Sequence, residues 1–142
     1  MNNKLRRAIA ITLVVASAAA NAKEIMFRCD VTSKATYNIP ALNHDADDPV
    51  TRHYVFDDSK NLLWIILEGE RRPACPAENC TQRVSKTMIA TVQKFESFTS
   101  RMTIDRLAGR LTDNVETLSG NVHGYNLITG PCRPETLDEL KF

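Results

Sequence analysis

Arg52-His53-Tyr54-Val55-Phe56-Asp57-Asp58-Ser59-Lys60-Asn61-Leu62-Leu63-Trp64-Ile65-Ile66-Leu67 is the stretch on which the fold turns. Arg52 to Asp57 has β character, and Asp58-Ser59-Lys60-Asn61 supplies side chains that hydrogen-bond their own backbone in turns. Leu62 to Leu67 is an apolar run rich in β-branched residues, suited to a strand inside a sheet. The three pieces together predict a hairpin.

Upstream, Phe27, Cys29 and Val31 alternate with Arg28 and Asp30, the period-two pattern of a half-buried strand. Residues 34–51 hold Pro40, Pro49 and the polar run Asn43 to Asp48, and are expected to form a long loop. Downstream, residues 68–82 read as a second polar loop. Val84 to Val92 and Phe98 to Arg106 read as two strands. Leu107-Ala108-Gly109 is a tight connection in which glycine takes a positive φ. Arg110 to Thr112 returns along the sheet, 113–121 is a polar loop, and Val122 to Ile128 is the last strand. Pro134 to Phe142 is expected to close with one helical turn. No strand alternates with a long amphipathic helix. The predicted fold is therefore mainly β: a small antiparallel sandwich or partly closed barrel.

The N-terminus carries a separate message. Lys4, Arg6 and Arg7 precede the almost wholly apolar run Ala8 to Ala20, and Ala20-Asn21-Ala22 supplies small residues at −3 and −1. This is the three-part pattern of a cleavable signal peptide. The apolar run falls short of the roughly 20 residues a membrane-spanning helix needs. Residues 1–22 are thus expected to be a bacterial secretory leader, and 23–142 a single exported domain, periplasmic or secreted. The leader takes three of the 18 Lys+Arg and none of the 17 Asp+Glu, which leaves 15 against 17. A mature chain that is slightly acidic lacks the clustered basic face that nucleic acid requires.

Cys29, Cys75, Cys80 and Cys132 all lie in the mature part. An even count in an oxidising compartment reads as two disulfides, with three possible pairings. The favoured pairing is Cys75–Cys80, which brackets the turn-forming Pro76-Ala77-Glu78-Asn79, with Cys29–Cys132, which ties the first strand to the C-terminal segment. A C-x4-C metal site has neither the usual spacing nor a close histidine, so no metal and no cofactor are expected.

Candidate chemistry is sparse. His44, Asp45, Asp47 and Asp48 form the densest set of potential ligands, but without the oxygen spacing and sixth-position glycine of an EF-hand. They read as a solvated acidic loop. With Arg71 and Arg72 on the second loop they are candidate partner-binding residues, since binding surface usually sits on loops. His53 and His123 lack a placed nucleophile or carboxylate partner in sequence. Asp57 and Asp58 are consecutive strand residues and point to opposite faces. Asn79-Cys80-Thr81 fits N-x-T but carries a disulfide cysteine at its centre. Tyr54, Phe56 and Trp64 are candidates to line a small apolar pocket, or else to fill the sheet core.

Phe27-Arg28-Cys29, the run Ile104-Asp105-Arg106-Leu107-Ala108-Gly109, Gly130-Pro131-Cys132 and the terminal Lys141-Phe142 resemble a group of small exported proteobacterial proteins of unassigned function. Those proteins carry a strand–"I-x-R-x-x-G" turn–strand unit before a G-x-C segment. The resemblance implies a β fold and a disulfide, and carries over no catalytic residue. A looser similarity is to periplasmic lysozyme inhibitors, also small β domains with an F/Y-x-C start, although their inhibitory loop has no copy here. The expectation is a non-enzymatic exported module that binds a protein or envelope component. The alternatives are a small-ligand carrier with an internal apolar pocket, or an inhibitor of an exogenous hydrolase.

Overall fold

The computed structural model describes residues 24–76 and 78–135. The leader (1–22) and most of the helical turn expected over 134–142 lie outside the described residues, while its first two residues, Pro134 and Glu135, are strand rather than helix. Among the described residues nine strands follow one another: β1 (Glu24–Tyr37), β2 (His44–Asp57), β3 (Leu62–Leu67), β4 (Glu70–Pro73), β5 (Cys80–Val84), β6 (Met88–Lys94), β7 (Phe98–Asp105), β8 (Arg110–Ser119) and β9 (Val122–Glu135). A single 3-10 turn, Pro40–Leu42, interrupts them. All nine belong to one antiparallel sheet in the order β4-β3-β2-β1-β9-β8-β7-β6-β5.

That order dictates a curled shape. β4 and β5 are consecutive in the chain, yet they form the two opposite edges of the sheet. The Cys75–Cys80 disulfide holds the junction between them at a Cα–Cα distance of 5.3 Å. On one side of the junction the Ala74 N–H donates to the Leu63 carbonyl (2.9 Å); on the other the Lys94 N–H donates to the Asn79 carbonyl (2.8 Å). The sheet must therefore bend until its edges meet there, which makes a half-barrel.

Inward-facing residues fill it. Phe27, Cys29 and Val31 of β1 meet Tyr54 and Phe56 of β2, Leu63 of β3, Ile89 of β6, Met102 and Ile104 of β7, Leu111 of β8, and Ile128 and Cys132 of β9. Each large side chain removed from water here stabilises the fold by about 1.5–3 kcal/mol. The predicted hairpin is present, with Tyr54 opposite Ile65 and Phe56 opposite Leu63. Both disulfides form as favoured from the sequence. Cys29–Cys132 joins the first and last described strands, which lie side by side with Cys29 directly opposite Cys132. Gly109 has φ +60 in the β7–β8 turn, as the sequence predicts.

The strands run further than the sequence suggests. The segment expected as a loop, 34–51, is mostly β. Lys34 pairs with Asp45 and Ala35 with His44, so only 38–43 turn. Pro49, which cannot donate to a ladder, is absorbed where the register shifts between Val31 and Ser33. A bulge is where a strand tolerates proline. The second expected loop, 68–82, contains β4 and the start of β5. The single strand expected over 84–92 is instead the end of β5, a turn at 85–87 and β6. The polar segment expected as a loop at 113–121 continues β8 to Ser119, and β9 runs on to Glu135. In each case the ladder bonds come from a neighbouring strand. Polar side chains on the solvent face do not oppose that pairing.

Candidate functional site

The half-barrel is not filled to its rim. Above the apolar core, β2, β3, β6, β7 and β8 and the β4–β5 junction enclose a cleft of about 220 Å³. Its walls are Ile65, Pro73, Ala74, Pro76 and Met102, and its polar groups are Arg52, Tyr54, Thr91, Gln93, Ser100 and Asp113. Period-two geometry explains how they arrive together. Arg52 shares the inward face of β2 with Tyr54 and Phe56, and Asp113 sits between the inward Leu111 and Val115 of β8.

The charges are arranged around Asp113. One of its oxygens accepts from the Ser100 hydroxyl at 2.7 Å, and the other lies 3.9 Å from an Arg52 guanidinium nitrogen. Asp113 is buried, and these two groups are its polar partners. Beside them, Tyr54 is only 1% exposed, and its hydroxyl has no hydrogen-bond partner among the described residues. Burial pushes the Tyr54 phenol above its ordinary pKa. The neighbouring Arg52 guanidinium pulls the other way. A second cleft of about 200 Å³ shares Arg52 with the first and is lined by Val31, Asp48, Asn126 and Ile128 among others. There the Asn126 side-chain oxygen is also buried and unpartnered.

Of the aromatic trio read from the sequence, Tyr54 lines the cleft and Phe56 lies in the core beneath, with the Arg106 guanidinium 5.5 Å above its ring. Trp64 is not with them. It alternates with the inward Leu63 and Ile65 and pairs with Val55 on the opposite face.

The proposed partner residues are scattered. His44 and Asp45 open β2, where Lys34 pairs with Asp45 at 3.7 Å, and Asp47 and Asp48 lie at the bulge. Arg71 is held by Glu24 through two bonds of 2.9 and 3.0 Å, and this ion pair lowers the Glu24 pKa and raises that of Arg71. Arg72 bonds Glu70 at 3.3 Å.

His53 is bonded to Glu135 at 2.8 Å, whereas His123 sits at the β8–β9 turn, opposite Leu118. The two histidines are not brought together. Asp57 builds the β2–β3 turn: it accepts from the Ser59 hydroxyl and N–H and from the Lys60 N–H, and pairs with the Lys60 ammonium at 3.1 Å. Led by the Ser59 bond, these hold its pKa down at about 2. No three His, Cys, Asp or Glu side chains converge among the described residues. Nor is any helix there long and apolar enough to cross a membrane.

Arg52, Asp113, Ser100, Thr91, Gln93 and Met102 escaped the sequence reading. A signal for two of them was present: Arg52 and Asp113 are opposite charges placed on inward positions of otherwise apolar alternations. Comparison with known protein families, characterised proteins and solved structures yields no match to this chain.

Proposed function

We propose that this chain is an exported, non-enzymatic binding module of the periplasm or cell exterior, and that it engages a protein or envelope component through the half-barrel cleft. The leader pattern and the two disulfides support the compartment. The observation that carries the binding reading is the open cleft itself, where Arg52, Gln93, Ser100 and Asp113 stand beside Ile65 and Met102. Strands β2, β3, β6, β7 and β8 frame the cleft, and the Cys75–Cys80 link ties the chain at one corner of it.

The carrier reading shares this cleft and differs only in whether the occupant is free or part of a larger molecule. Amide-resolved NMR of the periplasmic protein, titrated with a soluble envelope extract, tests the proposal. Shifts gathered on Gln93, Ser100, Met102 and Asp113 are expected. Shifts confined to the outer face of the sheet would overturn it, as would a turnover activity that disappears when His53 or His123 is replaced.

A further inference from the structure

We propose that the Cys75–Cys80 disulfide is a redox-sensitive strap across the cleft, which a dithiol opens while Cys29–Cys132 stays closed. The two links differ first in access. Cys29 and Cys132 are buried in the core and face each other on paired strands, so a thiolate reaches them only when β1 and β9 come apart. Cys75 and Cys80 are half-exposed outside that core, and Cys80 lines a surface hollow with Asn79, Thr81, Val92 and Lys94. Thiol–disulfide exchange requires such access, and exposed links are the labile ones.

They differ next in what they hold. Cys29–Cys132 joins strands that a ladder already pairs, whereas β4 and β5 are the two edges of the sheet and share no ladder. Cys75 lies between Ala74 and Pro76, which wall the cleft, and Cys80 stands directly opposite Gln93, which supplies one of its polar groups. The bond therefore connects the two sides of the cleft through residues next to each wall. Breaking it frees Ala74 and Pro76 from the β5–β6 side and leaves the ladders from β2 through β8 in place. The Gln82 side-chain amide of β5, which donates to the Asn61 carbonyl of the β2–β3 turn, remains as a tie near the seam. Because the link spans only 5 residues of sequence, its loss leaves the folded core standing.

The exchange is a two-electron step. A thiolate of the dithiol attacks the Cys80 sulfur, the S–S bond breaks, and Cys75 leaves as a thiolate that takes up a proton. The second thiol of the same molecule then attacks the mixed disulfide and releases Cys80, and the dithiol ends as a disulfide. The two hydrogens it gives up are those now carried by Cys75 and Cys80.

The oxidised protein purified from the periplasm is treated with dithiothreitol without denaturant, and free thiols are trapped with iodoacetamide and mapped by mass spectrometry. Cys75 and Cys80 are expected to be alkylated at least about a hundredfold faster than Cys29 and Cys132, since a buried link is attacked only from a rarely opened state. Amide NMR of the singly reduced protein should show shifts at Ile65, Thr91 and Gln93, with β1 and β9 unchanged. C75A/C80A should show the same shifts without dithiothreitol and no further ones with it.

Equal alkylation of the two pairs overturns the proposal, as does a Cys75–Cys80 link that survives until the whole protein unfolds. Shifts confined to residues 74–80 overturn it too, because the cleft walls then ignore the bond. So does a C75A/C80A protein that fails to fold, since opening the strap must leave the core intact. None of these readouts uses a guest, so they decide the strap independently of what the cleft binds.

Discussion

Replacing Cys29 and Cys132 together by alanine opens a link that spans 103 residues of sequence, whereas replacing Cys75 and Cys80 opens one that spans 5. In the folded protein the longer link does little that the ladder does not already do, because Cys29 and Cys132 face each other on paired strands. Its effect is on the unfolded chain, whose freedom it restricts. Chain entropy assigns about 4.7 kcal/mol to a loop of ~100 residues, and the same relation gives about 2 kcal/mol for the short one.

The Cys29 and Cys132 sulfurs also lie in the core, while Cys75 and Cys80 are half-exposed. Packing loss therefore adds to the longer link's cost. C29A/C132A should be less stable than C75A/C80A by at least about 2.5 kcal/mol, out of the ~5–15 kcal/mol a domain of this kind holds. Equilibrium urea unfolding of the native protein and both double variants measures the difference. With a slope of about 1–3 kcal/mol/M, the longer link's loss lowers the midpoint by roughly 1.5–4.5 M. Equal midpoints for the two variants, or a lower one for C75A/C80A, would refute the entropic argument.

Other perturbations test separate parts of the structure. Tyr54→Phe, made without ligand, should raise stability by about 1 kcal/mol, because it removes a buried hydroxyl that has no partner; a loss in the urea midpoint would show that the hydroxyl is bonded. Asp57 has its pKa lowered to about 2 from an ordinary 3.8, so its carboxylate contributes stability above pH 3.8 that is lost as pH falls toward 2. Thermal melts of Asp57→Asn should fall below the native curve at pH 5 and converge with it near pH 2; parallel curves contradict the turn geometry. A Cβ on Gly130 would lie 2.8 Å from the Val31 Cα and press on the Asp30 carbonyl. Gly130→Ala is therefore expected to cost about 2–3 kcal/mol by urea unfolding, and a neutral result would mean that β9 runs less close to β1 than described.

Much of the architecture was legible along the chain. Alternation at Phe27, Cys29 and Val31, turn chemistry at Asp58 to Asn61 and glycine at 109 are local properties, set by side-chain direction and backbone sterics within a few residues. They identified a β fold, the 52–67 hairpin and the β7–β8 turn. The even number of cysteines, with a turn between Cys75 and Cys80, pointed to the correct pairing. Strand extent was harder to read. His44 to Thr51 and Asp113 to Ser119 carry polar side chains that resemble loop, yet they are strand because partners on either side supply their backbone bonds. That information resides in β1, β7 and β9, not in the segments themselves.

The cleft belongs wholly to the tertiary structure. Arg52 and Asp113 are 61 positions apart by their numbering and meet only because the sheet curls. The curl in turn follows from β4 and β5 holding opposite edges while remaining joined through residues 74–79. Sequence reading placed Trp64 beside Tyr54 because both are aromatic, but the parity of β3 sends Trp64 to the far face. Sequence by itself determined which residues alternate, turn and cross-link, since those are short-range consequences of chemistry. Which inward residues face one another across the interior was decided by strand order and register, which arise only when distant segments pair.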